Sequence, residues 1–208
     1  MSITTHDVLE LDPASMTPDE FCDALFSYLA EAGQTMYDET VTQLEHGLQC
    51  AALAEQGGFE PRLQVAALLH DLGHLLLDEH DGAEDFLDTD LRHEIIGAHT
   101  VTRWLGQPVG GPVALHVPAK RYLVTTDPTY AAGLSQASIR SLEVQGGTMT
   151  PHEVAEFEKL PYHRDAVELR RWDDLGKAPD ADVPELEHWR AALVECLIAA
   201  RGPIGADR

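Results

Sequence analysis

The 208-residue chain carries 14 basic against 36 acidic residues, a net charge of −22, with 44% hydrophobic and 24% charged residues. Such a makeup fits one globular domain and excludes intrinsic disorder, a surface for nucleic acid or anionic membrane, and a membrane-spanning protein, since no apolar run approaches the roughly 18 residues a span needs. Cys22, Cys50 and Cys196 are too scattered for a disulfide framework or a thiolate zinc site, and the start MSITTHDVLELD lacks the basic flank and apolar stretch of a secretory signal, so buried thiols and a cytoplasmic location are expected.

Along the chain, helix punctuation recurs and strand alternation does not. Thr17-Pro18-Asp19-Glu20 is a capping box with proline at the first helical position. Val41, Leu44, Leu48 and Ala52 fall at helical spacing and predict a helix over 40–56, stopped by Gly57-Gly58. Glu60-Pro61 opens the next, predicted to run unbroken through Leu63, Ala66, Leu69 and Leu72 to Leu77. The acidic, glycine-containing stretch 78–90 reads as a loop at a pocket mouth. Further helices are expected over 92–105, 111–124, 135–144, from the capping start Thr150-Pro151-His152-Glu153, over 162–175 and over 184–200, with a linker at 177–183. Helices joined by short polar or Gly/Pro loops predict an all-α, single-domain helical bundle over 1–208, its core at about 17–176 and a C-terminal helix at about 184–201 packing on it.

The 11 histidines are the first sign of chemistry. On a continuous helix His70 and His74 share a face, and Asp71 stands about 100° round from His70. The plainer reading of His70 with Asp71, standing alone, is a satisfied core His–Asp hydrogen bond. His46 on the preceding helix, His93 and His116 on later ones, and an aspartate at 173 or 174 can each turn one donor inward. Four imidazoles and two carboxylates exceed what one metal needs, whereas a second metal bridged by Asp71 uses all six. Nitrogen and oxygen donors without sulfur suit iron, manganese or zinc; chemistry alone does not choose among them, nor between Asp173 and Asp174. His6, His80, His152, His163 and His188 read as surface or capping residues, and Trp104, Trp172 and Trp189 as packing.

The order His46, His70-Asp71, His93, His116, Asp173 resembles the HD-domain superfamily over nearly the whole chain. Within it, ETVTQLEHGLQCA (39–51), HDLGH (70–74), HEIIGA (93–98), HVPAKRYL (116–123), LSQASIRSLEVQGG (134–147) and LRRWDD (169–174) resemble the mixed-valent diiron oxygenases of phosphonate catabolism. The resemblance implies an HD-domain bundle holding an Fe(II)/Fe(III) pair on His46, His70, Asp71, His93, His116 and Asp173. It further implies O2 as co-substrate and oxidative cleavage of the carbon–phosphorus bond of a small zwitterion, 2-amino- or 2-(trimethylammonio)-1-hydroxyethylphosphonate, to phosphate and glycine or glycine betaine. Lys120, Ser138, Ser141, Arg170 and His74 become the phosphonate cradle, with His74 and Lys120 catalytic, and Glu39 receives the amine. Lys120 lies one turn beyond His116 and Arg170 three residues before Asp173, so both are spaced to share a face with a metal ligand.

At one position the chain departs from that pattern. Where the family has a tyrosine three residues before the glutamate, able to occupy an iron position until substrate displaces it, this chain has Met36 with Tyr37 beside it. Either the loop shifts so that Tyr37 takes the role or the gate is absent, and Met36 and Tyr37 beside Glu39 could line a pocket for an N-methylated ammonium. Two other readings fit the same ligand set: an HD-type metal-dependent phosphohydrolase, and a non-catalytic HD module that senses a ligand. Oligomeric state is left open.

Overall fold

The protein is described by a computed structural model over residues 3–37, 40–77 and 93–202. Among these residues the regular structure is helical, without a β-sheet, apart from an antiparallel bridge between Met36 and Thr42. The helices are α1 (Thr5–Leu9), α2 (Pro18–Ala32), α3 (Gln43–Gln56), α4 (Pro61–Leu69), α5 (Leu72–Leu77), α6 (His93–Leu105), α7 (Gln107–Thr126), α8 (Pro128–Ala132), α9 (Gln136–Val144), α10 (Pro151–Phe157), α11 (His163–Leu175) and, after a 3-10 turn at Leu186–Trp189, α12 (Arg190–Arg201). No described helix is long and apolar enough to cross a membrane.

Capping chemistry sets most helix starts. At Thr17, Thr42 and Thr150 the threonine hydroxyl accepts from the backbone three residues on, and the glutamate there accepts from the threonine N–H in return. The Thr42 box starts α3 two to three residues later than hydrophobic spacing predicts. α7 begins at Gln107 rather than near 111 and runs through Pro112 and Pro118. Pro112 has no N–H for the Pro108 carbonyl, and Arg62 Nη1 donates to that oxygen instead at 3.3 Å. α1 and α8 are short additions that the hydrophobic pattern does not announce; Thr4 caps the first and Asp127 the second.

The largest departure falls at the predicted helix from 60 to 77. It breaks at His70–Asp71, and α5 restarts with the His74 N–H on the Asp71 carbonyl at 3.0 Å. Glycine explains how α5 then meets α6. A Cβ on Gly73 would stand 2.0 Å from the His93 carbonyl oxygen, and one on Gly97 would stand 3.0 Å from the Gly73 nitrogen. Two absent side chains let backbone rest on backbone at the point where α6 presents His93.

α4 runs through the middle, packed by α3, α7, α11 and α12. Leu63, Val65, Ala66, Ala67, Leu68 and Leu69 are all buried, as an enclosed helix requires. Trp104, Trp172 and Trp189 are buried in the same core, and the three cysteines are free and buried. α12 packs on α2, α4 and α6. The broken α4–α5 junction therefore lies between α3 on one side and α6 with α7 on the other.

Candidate metal centre

Buried polar groups gather where those helices meet. His46 comes from α3, His70 from the end of α4, Asp71 from the break, His93 from the start of α6, His116 from the middle of α7 and Asp173 from the end of α11. His46, His70, His116 and Asp173 are each at most 2% exposed. Asp71 stands between two groups of imidazoles. Its Oδ2 lies 3.2 Å from His70 Nε2 and 3.5 Å from His46 Nε2, while its Oδ1 lies 3.6 Å from His116 Nε2, 3.7 Å from His93 Nε2 and 4.0 Å from His74 Nε2. Asp173 joins the first group, with Oδ1 3.6 Å from His46 Nε2 and Oδ2 3.9 Å from His70 Nε2. Asp174 does not join it: its carboxylate pairs with Arg170 and accepts from the Tyr130 hydroxyl.

The fit of a metal follows from where the protons are. His46, His70 and His116 hold Nδ1 against the carbonyls of Gly176, Ala67 and Val113 at 2.9, 2.8 and 2.7 Å. A carbonyl only accepts, so each Nδ1 carries a proton and each ring turns its Nε2 inward, the atom that would ligate a metal. Yet the Nε2 atoms of His46 and His70 are 3.3 Å apart, and those of His93 and His116 are 3.4 Å apart. Two lone pairs do not face one another at that distance unless a proton or a metal lies between them. Without metal, the cation of the first group is a proton. Burial alone would lower the His70 pKa, but the Asp71 carboxylate outweighs it and raises the value to about 9. His116 goes the other way: burial pushes it down to about 4, so it stays neutral and able to ligate. Burial would raise Asp71 and Asp173, but the His70 charge and the Arg170 guanidinium respectively hold them well below the usual carboxylate range.

Cys50 also approaches, its Sγ 3.9 Å from both ring nitrogens of His46. Its thiol donates to the Trp172 carbonyl at 3.5 Å and burial holds its pKa well up, so it is a packed thiol. His74 stacks on His93 with ring centroids 3.7 Å apart, which sets it beside the second group. Lys120 is 3% exposed, and its ammonium donates to Ser141 Oγ at 2.8 Å. Burial, and then Arg170, bring its pKa down to about 7. Ser138, also buried, bonds through its hydroxyl to Ser135 at 3.0 Å. Arg170 is buried with Nη1 on Asp173 Oδ2 at 2.5 Å, an ordinary helix ion pair in form that here anchors a cluster carboxylate.

Of the two residues left open at the gate, Met36 is 53% exposed. Tyr37 stacks on His46 with centroids 3.9 Å apart and donates its hydroxyl to Asp173 Oδ1 at 3.3 Å. Glu39 and the loop at 78–90 lie outside the described residues.

No protein-family model matches the chain. It is 49% identical over 197 residues to a hydroxymethylphosphonate dioxygenase of Gimesia maris, covering 95% of this chain and 96% of that protein. It is 38% identical over 193 residues to a glycine-betaine-forming 1-hydroxy-2-(trimethylamino)ethylphosphonate dioxygenase of Leisingera caerulea, covering 92% and 95%. The chain belongs to the phosphonate dioxygenase family. Membership makes it an oxygenase and sets aside the phosphohydrolase and the sensing module. Sequence reasoning missed three groups around the centre of this phosphonate dioxygenase. Lys177 places Nζ 3.8 Å from Asp173 Oδ1 and 5.2 Å over the Tyr37 ring; its spacing of four from Asp173 was the available signal. The Gly176 carbonyl orients His46, and Tyr130 reaches Arg170 from 40 residues away with no local signal.

Proposed function

We propose that this chain uses O2 to break the carbon–phosphorus bond of a small 1-hydroxyalkylphosphonate, hydroxymethylphosphonate foremost, at a pair of irons. The observation that carries the reading is Asp71, one carboxylate oxygen turned to each group of imidazoles. His46, His70, Asp71 and Asp173 would hold one ion; Asp71, His93 and His116 would hold its neighbour. When bound, the iron pair supplies the redox chemistry that carries O2 to the carbon bearing the hydroxyl. The overall change balances without another reductant: hydroxymethylphosphonate and one O2 become formate and phosphate.

The protein's own residues do the rest. Lys120, buried and held by Ser141, meets the phosphonate with one charge, and Arg170, Ser138, Ser141 and His74 complete the cradle. These cations answer the charge of −22, because at a few ångströms in a buried site they outweigh screened surface carboxylates. The apolar walls of α4 and α7 keep water from the oxidising step. Tyr37, whose phenol lies against Asp173 and His46, is the residue that takes up the gating role, and Met36 is released from it.

Two features favour a substrate without a cationic tail. The relative at 49% identity acts on hydroxymethylphosphonate. One face of the Tyr37 ring is covered by His46 and a lysine ammonium stands over the ring at 5.2 Å, so a substrate ammonium there would meet a like charge. The 2-amino and 2-trimethylammonio compounds are the competing substrates. The test is anaerobic iron loading followed by O2 with each of the three phosphonates, measuring O2 consumed and phosphate and carboxylic acid released. With hydroxymethylphosphonate, one phosphate and one formate are expected for each O2 consumed. Phosphate release that needs no O2, or none with any substrate, would sink the proposal.

A further inference from the structure

Arg170 is held on more sides than a salt bridge with Asp173 requires. Its Nε–Nη2 edge lies along the Asp174 carboxylate, with Nε 3.0 Å from Oδ2 and Nη2 on Oδ1. Nε also reaches the Tyr130 hydroxyl at 3.2 Å, and that hydroxyl donates to the same Asp174 oxygen. Tyr130 stands on α8, and α8 is itself fastened to α11: its capping Asp127 accepts from Arg171 Nη2 at 3.2 Å. A guanidinium has five N–H donors. Among the described residues these bonds use the one on Nε, one on Nη2 and one on Nη1, which leaves one N–H on each terminal nitrogen.

We propose that Asp174 and Tyr130 are positioning residues that fix the Arg170 guanidinium so that its two remaining N–H groups meet the phosphonate. The proposal rests on the reading of Arg170 as a phosphonate contact. The two aspartates lie three and four residues beyond Arg170 on one helix and divide the guanidinium between them. With Asp174 neutralised, the fork is free to turn both terminal nitrogens onto Asp173 and away from the phosphonate. Tyr130 guards against the same rotation from the opposite helix, so α8 serves the site although none of its residues faces the imidazoles.

The test uses the metal-loaded protein without O2, methylphosphonate as an unreactive probe, and steady-state kinetics with hydroxymethylphosphonate. Asp174→Asn is expected to weaken methylphosphonate binding and raise KM by about tenfold or more, and Tyr130→Phe by about threefold, the range that one or two lost hydrogen bonds produce. Both variants should keep two metals per chain and a kcat within about twofold of the parent. Asp174→Glu, which keeps the charge, should recover part of the affinity. Unchanged affinity in both Asp174→Asn and Tyr130→Phe overturns the proposal, as does loss of metal from Tyr130→Phe. If the parent protein itself fails to bind methylphosphonate, the phosphonate reading falls, which is a separate outcome from a parent that binds and variants that bind equally well. Should Asp174→Asn not fold, Tyr130→Phe alone decides.

Discussion

Lys120 permits a sharp prediction, because a buried ammonium leaves its mark on stability as well as on binding. In the fold its pKa is about 7, against 10.5 for a free lysine, and the first cause is burial. The folded value lies below the unfolded one, so between about pH 7 and 10.5 the unfolded chain holds a proton that the folded chain has given up. Stability from this group therefore rises with pH, by about 1.4 kcal/mol per pH unit, and the charged form carries a penalty of roughly 4 to 5 kcal/mol below pH 7. Lys120→Met removes the charge and keeps the apolar stem. It is expected to be more stable than the parent at pH 7, by about 2 kcal/mol or more after the lost Ser141 bond is counted, and to converge on the parent as pH rises. Urea unfolding of parent and variant at pH 7, 8 and 9, in the same metal state, reads the difference directly. The variant should at the same time lose most of its affinity for phosphonate, since the lysine takes up its proton when the anion arrives. A variant less stable than the parent at pH 7, or with a parallel pH dependence, would refute the burial argument.

Other perturbations address the metal centre. Asp71→Ala should bind fewer than two metals tightly, as read by metal analysis after gel filtration; two tightly held ions would contradict the bridging position. Gly73→Ala puts a Cβ 2.0 Å from the His93 carbonyl oxygen, so it should cost about 1 to 3 kcal/mol of stability and weaken the second ion before the first; unchanged melting with full metal content would show that α6 yields freely. In metal-free protein, NMR titration should find His70 protonating near pH 9 and His116 near 4. With the folded value raised, the contribution of His70 to stability is complete below about pH 6.5 and lost as pH rises through 9. Metal in place of that proton should abolish the titration near 9, and its persistence in the loaded protein would count against His70 as a ligand.

How far these features could be read from the chain alone depends on their range. Threonine and glutamate three residues apart at Thr17 and Thr150 need no partner elsewhere to start a helix, and the structure has both boxes in full. The all-helical fold is legible for the same reason: periodicity and caps are local. Donor types are legible too, because a histidine surrounded by leucine and alanine announces a buried polar group wherever the fold takes it. The break at His70–Asp71 is not legible, since ALLHDLGHLL has unbroken helical spacing and the close approach of α6 onto Gly73 and Gly97 beside it is a tertiary contact.

The amino-acid sequence by itself determined the inventory: which imidazoles and carboxylates exist, which helices carry them, and the resemblance that orders them. Tertiary structure alone decided between chemically identical neighbours. Asp173 and Asp174 differ by about 100° around α11, so one meets His46 and His70 while the other meets Arg170 and Tyr130. Tyr37 rather than Met36 lies against the centre because the bridge from Met36 to Thr42 fixes which side chain turns inward. Lys177 and Tyr130 arrive from a helix exit and from a separate short helix. Such placements depend on how packed helices rotate and approach one another, and no local period encodes that.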